Sequence, residues 1–285
     1  MINFFKRSMS GIAQVIVQPC SLSGFIILVG IAVHSWKMAV GALIGTVVGT
    51  ATAVFLNYDN KNINLGIYGY NATLIGIANI YFFQTTAISI IVLIICCAFS
   101  VLVTNWIPSY LRLPAFTAPF VFITWLLILI SNNIGLLPSG DILNFINNIH
   151  SAGLAEAVGQ VYIQGNGITG AIMLLAILLC SKSSFVWAIV ATSLTWLLAH
   201  GLNYPESNIQ NGLYGFSAIL TAIALQNLKP IAFPLAGIVL TVFVTQAFIF
   251  SGWPSLTAPF VFVSWLITIM YSSYKKYTDK LLGPH

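Results

Sequence analysis

Thr117 and Thr257 each stand two residues ahead of a proline, Pro119 and Pro259, inside a motif that the chain carries twice. Gln14 and Gln160 sit in two further matching segments, 146 residues apart. Hydroxyl and carboxamide groups are neutral donors and acceptors, and no nucleophile with an adjacent base and no metal cluster accompanies them. Such groups can hydrogen-bond a polar solute but cannot make or break its bonds, so the chain does not read as an enzyme and calls for no cofactor. The prolines fit this role, because each frees a carbonyl in the turn before it. Other roles stand beside it. A membrane threonine can bond back to its own helix, and a glutamine can join two helices. Finding both types at repeat-matched positions favours a shared site.

Charge is missing where an ion would need it. Asp59, Asp141, Glu156, Glu206 and Asp279 fall in loops or at segment ends, leaving no carboxylate inside a span to bind a proton or sodium. Neither rings of charge nor stacked filter carbonyls are visible. A neutral polar solute is the expected cargo.

The elements that hold these residues must lie in lipid. With 59% hydrophobic and 5% charged residues and a mean hydropathy of +0.96, the chain cannot cover a globule with polar surface. Nucleic acid is excluded as a partner, because the net charge of +5 comes from a few basic residues outside the apolar runs. The chain is also built twice. From Leu56 to Ala78, 12 of 23 positions recur identically at an offset of 146, and from Leu113 to Leu126, 9 of 14 recur at 140. Chance would give about one in twenty by composition-blind counting.

Hydropathy predicts spans near 20–34, 38–56, 67–83, 87–106 and 115–134, then near 167–181, 184–200, 213–228, 230–249 and 257–272. Segments at 10–18 and 154–164 are too short to cross and read as half-helices that dip into the membrane. With the N-terminus inside, Lys6, Arg7, Lys61, Arg112, Lys182, Lys229, Lys275, Lys276 and Lys280 all fall on the cytoplasmic side, and Lys37 alone falls outside. No cleaved signal peptide is expected. The predicted fold is an all-α polytopic membrane protein of ten spans with both termini cytoplasmic. It has two five-span repeats, 1–137 and 138–285, each opened by a re-entrant pore half-helix. Because five is odd, the second repeat is inverted, and matched residues should meet near the midplane.

The element Leu113-Pro-Ala-Phe-Thr-Ala-Pro-Phe120, with its second copy from Trp253 to Phe260, resembles the signature of the urea transporter family. So do Gly69-Tyr-Asn-Ala-Thr-Leu74, its partner Gly215-Phe-Ser-Ala-Ile-Leu220 with Ser217 where asparagine is usual, Gly11-Ile-Ala-Gln-Val15, and Val158-Gly-Gln-Val161-Tyr162. The resemblance covers essentially the whole length. It implies a bacterial plasma (inner) membrane protein that is a homotrimer with one pore per subunit, through which urea passes by facilitated diffusion. By position it places Leu74, Leu220, Thr117 and Thr257 at a midplane constriction and Gln14 and Gln160 in two flanking urea sites. Tyr70 and Phe216 would be among the walls of a slot that also runs past Val161. Val17 and Ile163 depart from the family, which often has an aromatic residue at the first of these places, so the slot there is wider or is built by another ring.

A flat apolar slot suits planar urea, whose four N–H donors need acceptors as water is shed. A neutral lining offers an ammonium or hydronium ion nothing to offset its dehydration. A water, small neutral amide or polyol channel is the rival reading, although the paired Asn-Pro-Ala element expected of the water and polyol class is missing. A non-transporting receptor would need a soluble signalling segment, and no long polar stretch is present. Cys20, Cys96, Cys97 and Cys180 lack metal-ligand spacing and read as buried free thiols. His34, His150 and His200 lack repeat partners and read as surface or interfacial residues; His285 is terminal.

Overall fold

Lipid offers the backbone no hydrogen bonds, so a chain this apolar must satisfy its amides within helices. The computed structural model describes residues 2–139 and 153–282, and all its regular elements there are helical. The first half contains α1 (Ile2–Gln14), α2 (Ser21–His34), α3 (Trp36–Phe55), α4 (Asn60–Asn64), α5 (Tyr70–Phe82), α6 (Ala87–Leu111) and α7 (Ala118–Ile130), the last continued by a 3-10 turn at Ser131–Ile134. The second contains α8 (Leu154–Gln160), α9 (Gly167–Cys180), α10 (Lys182–Gly201), α11 (Glu206–Gln210), α12 (Gly215–Leu225), α13 (Ala232–Ser251) and α14 (Ala258–Leu282).

Small polar residues start these helices by accepting an otherwise unpartnered first-turn amide. Ser35 accepts from Met38 N and Ser181 from Ser184 N at matched places before α3 and α10, and Asn166 accepts from Ile168 N and Thr169 N before α9. Four helices, α3, α6, α10 and α13, are long and apolar enough to cross a membrane. The helices α2, α5, α7, α9 and α12 have only 14, 13, 13, 14 and 11 residues. At 1.5 Å per residue they reach roughly 16–21 Å, well short of a hydrocarbon core of about 30 Å. Irregular backbone precedes each of them, and it is tolerated at depth only where protein buries it. The outer faces carry Phe25, Ile91, Ile95, Phe99 and Leu197, all at least half exposed, as a lipid-facing surface requires.

The backbone repeats its unusual conformations along with its sequence. Left-handed φ angles occur at Val17 and Ile163 (57° and 59°), Asn57 and Asn203 (53° and 53°), and Phe116 and Leu256 (42° and 45°). These pairs keep the offsets of 146, 146 and 140 found in the sequence. Close approach is repeated too. A Cβ on Gly24 of α2 would overlap the Met9 carbonyl of α1, and a Cβ on Gly170 of α9 would overlap the Ala155 carbonyl of α8. Only glycine lets each short helix lie against the one that follows.

Three expectations are revised. The first half-helix starts at Ile2 rather than near residue 10, because Lys6 and Arg7 interrupt the apolar run without interrupting the helix; Arg7 Nε donates to Asn64 Oδ1 at 2.7 Å. Cys20 and Cys180 are not free thiols but a disulfide joining the start of α2 to the end of α9. They meet because α2 packs against α9, where Thr169 Oγ1 donates to the Gly30 carbonyl at 3.1 Å. Cys96 and Cys97 are free as expected. The short helices α4 and α11 were not foreseen, being single polar turns that hydropathy does not detect. Asp141, His150 and His285 lie outside the described residues, as does the start of the second repeat from 140 to 152.

Candidate functional site

Irregular backbone between Leu111 and Ala118, and again between Ser251 and Ala258, brings the two copies of the repeated motif together. Thr117 and Thr257, 140 residues apart, face each other with their hydroxyl oxygens 2.6 Å apart, and are 1% and 3% exposed. Neither bonds back to its own turn. Two reciprocal bonds hold this arrangement: Trp125 Nε1 donates to the Pro254 carbonyl and Trp265 Nε1 to the Pro114 carbonyl, both at 2.8 Å. Carbonyls freed by the proline-rich turns are thus taken up by tryptophans of the opposite copy.

Beside Thr117 lies a cavity of about 340 Å³. Gln14, Val17, Tyr70, Phe116, Thr117 and Phe260 line it, with Val15, Asn62, Ile67, Thr104, Pro108, Pro114 and Ala115 completing the wall. No lining side chain is charged. Gln14 stands at the last position of α1, and its buried Oε1 has no partner among the described residues. The rings of Phe116 and Phe260 lie 5.0 Å apart between centroids. Tyr70 keeps its hydroxyl occupied, donating to the Phe116 carbonyl at 2.6 Å. Asn71 clasps the same loop: its Nδ2 donates to Thr104 Oγ1 and to the Phe116 carbonyl, and its Oδ1 accepts from Phe120 N, each at 3.1 Å.

The remaining expected residues are placed differently. Leu74 and Leu220 are completely buried at matched positions of α5 and α12, but neither lines the cavity beside Thr117. Phe216 and Val161 are buried in the same apolar core. Gln160 is engaged, donating from Nε2 to the Asn211 carbonyl at 3.2 Å. Val17 lines the cavity, while Ile163 repeats its left-handed backbone in the second half. Phe116 and Phe260 supply rings to the wall that Val17 leaves without an aromatic residue.

Sequence reasoning passed over Phe116, Phe260, Asn62 and Thr104 as wall residues. The two phenylalanines lie inside the repeated motif, which was the available signal. Phenylalanine in an apolar chain otherwise looks the same whether it faces lipid or a cavity. Glu156 falls in the first turn of α8, a segment end as expected, yet it is 1% exposed with Oε1 unpartnered; Asp59, Glu206 and Asp279 are exposed.

Comparison with known proteins adds a lineage to this geometry. A model of a family described as urea transporter matches residues 5–272. The chain is 32% identical over 248 residues to a protein named Urea transporter 1 of Rattus norvegicus, covering 79% of this chain and 63% of that protein. It is 30% identical over 247 residues to Urea transporter 1 of Ovis aries, with the same coverage. The chain therefore spans less than two thirds of the length of these curated relatives.

Proposed function

We propose a function from the premise that this chain belongs to the urea transporter family: it conducts urea across the membrane, down the urea gradient, through a neutral path between its two halves. The observation that carries this reading is the Thr117–Thr257 contact at the end of a cavity lined by Gln14, Tyr70 and two phenylalanine rings. Urea presents four N–H donors and one carbonyl acceptor. The two threonine hydroxyls share one proton in their mutual bond, which leaves one proton and several lone pairs for a solute. The free Gln14 Oε1 supplies a further acceptor. Aromatic faces complement the flat molecule, and the uncharged wall gives a cation no compensation for lost hydration.

In this reading Gln14 and Gln160 serve two flanking sites, Leu74, Leu220, Thr117 and Thr257 form the constriction, and Tyr70, Phe216, Val17, Val161 and Ile163 shape the walls. The halves, 1–137 and 138–285, are related as an inverted repeat of five spans each, ten in all. The matched left-handed residues and the reciprocal tryptophan bonds support that relation. The homotrimer, the bacterial plasma membrane and the cytoplasmic termini extend the family resemblance and the distribution of basic residues to this chain.

Stopped-flow measurement of purified protein in liposomes tests the function. Urea flux should far exceed that of empty liposomes and run with the gradient. Flux no greater than that of empty liposomes, from protein shown to be folded and inserted, would refute it.

A further inference from the structure

The two halves share a backbone at the filter loop but not the side chain that clasps it. In the first half the Asn71 carboxamide bonds the Phe120 N–H and the Phe116 carbonyl. At the offset of 146 the second half has Ser217, and at 140 it has Phe260 and Leu256 in place of Phe120 and Phe116. The loop itself is unchanged. Leu256 keeps the left-handed φ of Phe116, 45° against 42°. Ala258 N bonds Ser255 O at 2.9 Å as Ala118 N bonds Ala115 O at 3.1 Å, and Val261 N bonds Thr257 O as Val121 N bonds Thr117 O, at 3.2 and 3.0 Å.

What is lost is the set of partners. The serine hydroxyl reaches one bond less far than the asparagine carboxamide, and among the described residues Ser217 Oγ is buried with no hydrogen bond. The bonds just described leave out the Phe260 N–H, on a residue only 1% exposed, and among the described residues nothing donates to the Leu256 carbonyl. Phe216, at the place of Tyr70, has no hydroxyl to offer. Thr245, which precedes Gln246 of the Tyr214–Gln246 bond as Thr104 precedes Asn105 of the Tyr68–Asn105 bond, is buried with its Oγ1 unpartnered among the described residues. A donor, an acceptor and two hydroxyls thus stand at the positions matching the groups that one carboxamide joins in the other half. Orphaned buried N–H groups are rare in native proteins, and a water is stable where two to four polar groups converge.

We infer that one ordered water molecule, bonded to Ser217 Oγ, the Phe260 N–H and the Leu256 carbonyl, completes the filter loop of the second half. It accepts from the amide and donates to the carbonyl, the two tasks that Asn71 performs with its Oδ1 and Nδ2. One difference follows. The Phe116 carbonyl has both lone pairs engaged by Tyr70 and Asn71, whereas the water engages only one on Leu256 and leaves the other free.

A map of the full chain in lipid nanodiscs, fine enough to show ordered waters, tests this. It should show a peak within about 2.7–3.2 Å of both Ser217 Oγ and Phe260 N. In Ser217→Asn the peak should vanish, with the carboxamide taking both partners and the protein melting no lower than wild type. A wild-type map that resolves buried waters elsewhere but none here would overturn the inference. So would a folded Ser217→Asn protein that retains the peak with its carboxamide turned away. If that variant fails to insert, the wild-type map decides alone.

Discussion

Replacing Thr117 or Thr257 by valine keeps the side-chain shape and deletes one hydroxyl of a pair whose oxygens are 2.6 Å apart. The structure makes the two readouts of this perturbation run in opposite directions. In a single variant the remaining hydroxyl is buried and has lost its partner, a state that costs about 1–3 kcal/mol. The double variant removes both groups together and should be close to neutral, because two apolar side chains of the same shape leave nothing unsatisfied. Melting temperature should therefore fall by several degrees in Thr117→Val and in Thr257→Val and recover in the double variant. Urea flux should do the reverse. Each single variant still offers one hydroxyl to a solute that has shed water, so its barrier rises by about 0.5–1.5 kcal/mol, roughly two- to tenfold in rate. The double variant offers none and should be slowest. Water, smaller and able to pass in file, should be slowed less than urea. Melting curves from detergent-purified protein and stopped-flow flux from liposomes supply the two readouts. A double variant less stable than either single would refute the mutual bond, and wild-type urea flux in the double variant would move the filter elsewhere.

Because no charged side chain lines the cavity, urea flux should ignore imposed pH and sodium gradients; uphill accumulation driven by either ion would sink the passive reading. The same independence should hold in Glu156→Gln, which tests whether the one buried carboxylate among the described residues takes part. Gly24→Ala and Gly170→Ala should each reduce folded yield sharply, seen as loss of the monodisperse peak in size-exclusion chromatography, since the methyl would overlap a backbone carbonyl. Gly201→Ala, whose Cβ would meet nothing within 4 Å among the described residues beyond its own helix backbone and chain neighbours, should change the yield little. Tags at both termini should be cytoplasmic, and a cysteine introduced near Asp141 should react with an impermeant outside reagent; labelling only after lysis would overturn the five-plus-five scheme.

Duplication made much of this legible. Two copies of a motif with its threonine two residues before a proline implied that Thr117 and Thr257 share an environment, and they touch. Helix positions were legible because lipid forces long apolar runs, so α2, α3, α9 and α10 fall within a few residues of the predicted spans. What hydropathy could not show was how short some of them are. The repeated segment from Gly66 to Ala78 reads as one continuous run, yet turns carry it to Tyr70, since tight backbone approaches rather than polarity decide where α5 begins. The Cys20–Cys180 bridge was hidden because residues 160 positions apart carry no pairing signal. Phe116 and Phe260 were in plain view within the motif, but only folding distinguishes a ring on a cavity from a ring in lipid.

The crossed tryptophan bonds bear on how such a protein is made. As the chain emerges, the Pro114 carbonyl must wait for Trp265, 151 residues later, and the partner that Trp125 needs, the Pro254 carbonyl, arrives just before it. Until then the first half lacks the tryptophan bond that finishes the loop beside its cavity. Each half is therefore the other's last folding step. A chain that stops short of Trp265 leaves the Pro114 carbonyl without its tryptophan donor. That loop is complete only once synthesis has passed Trp265.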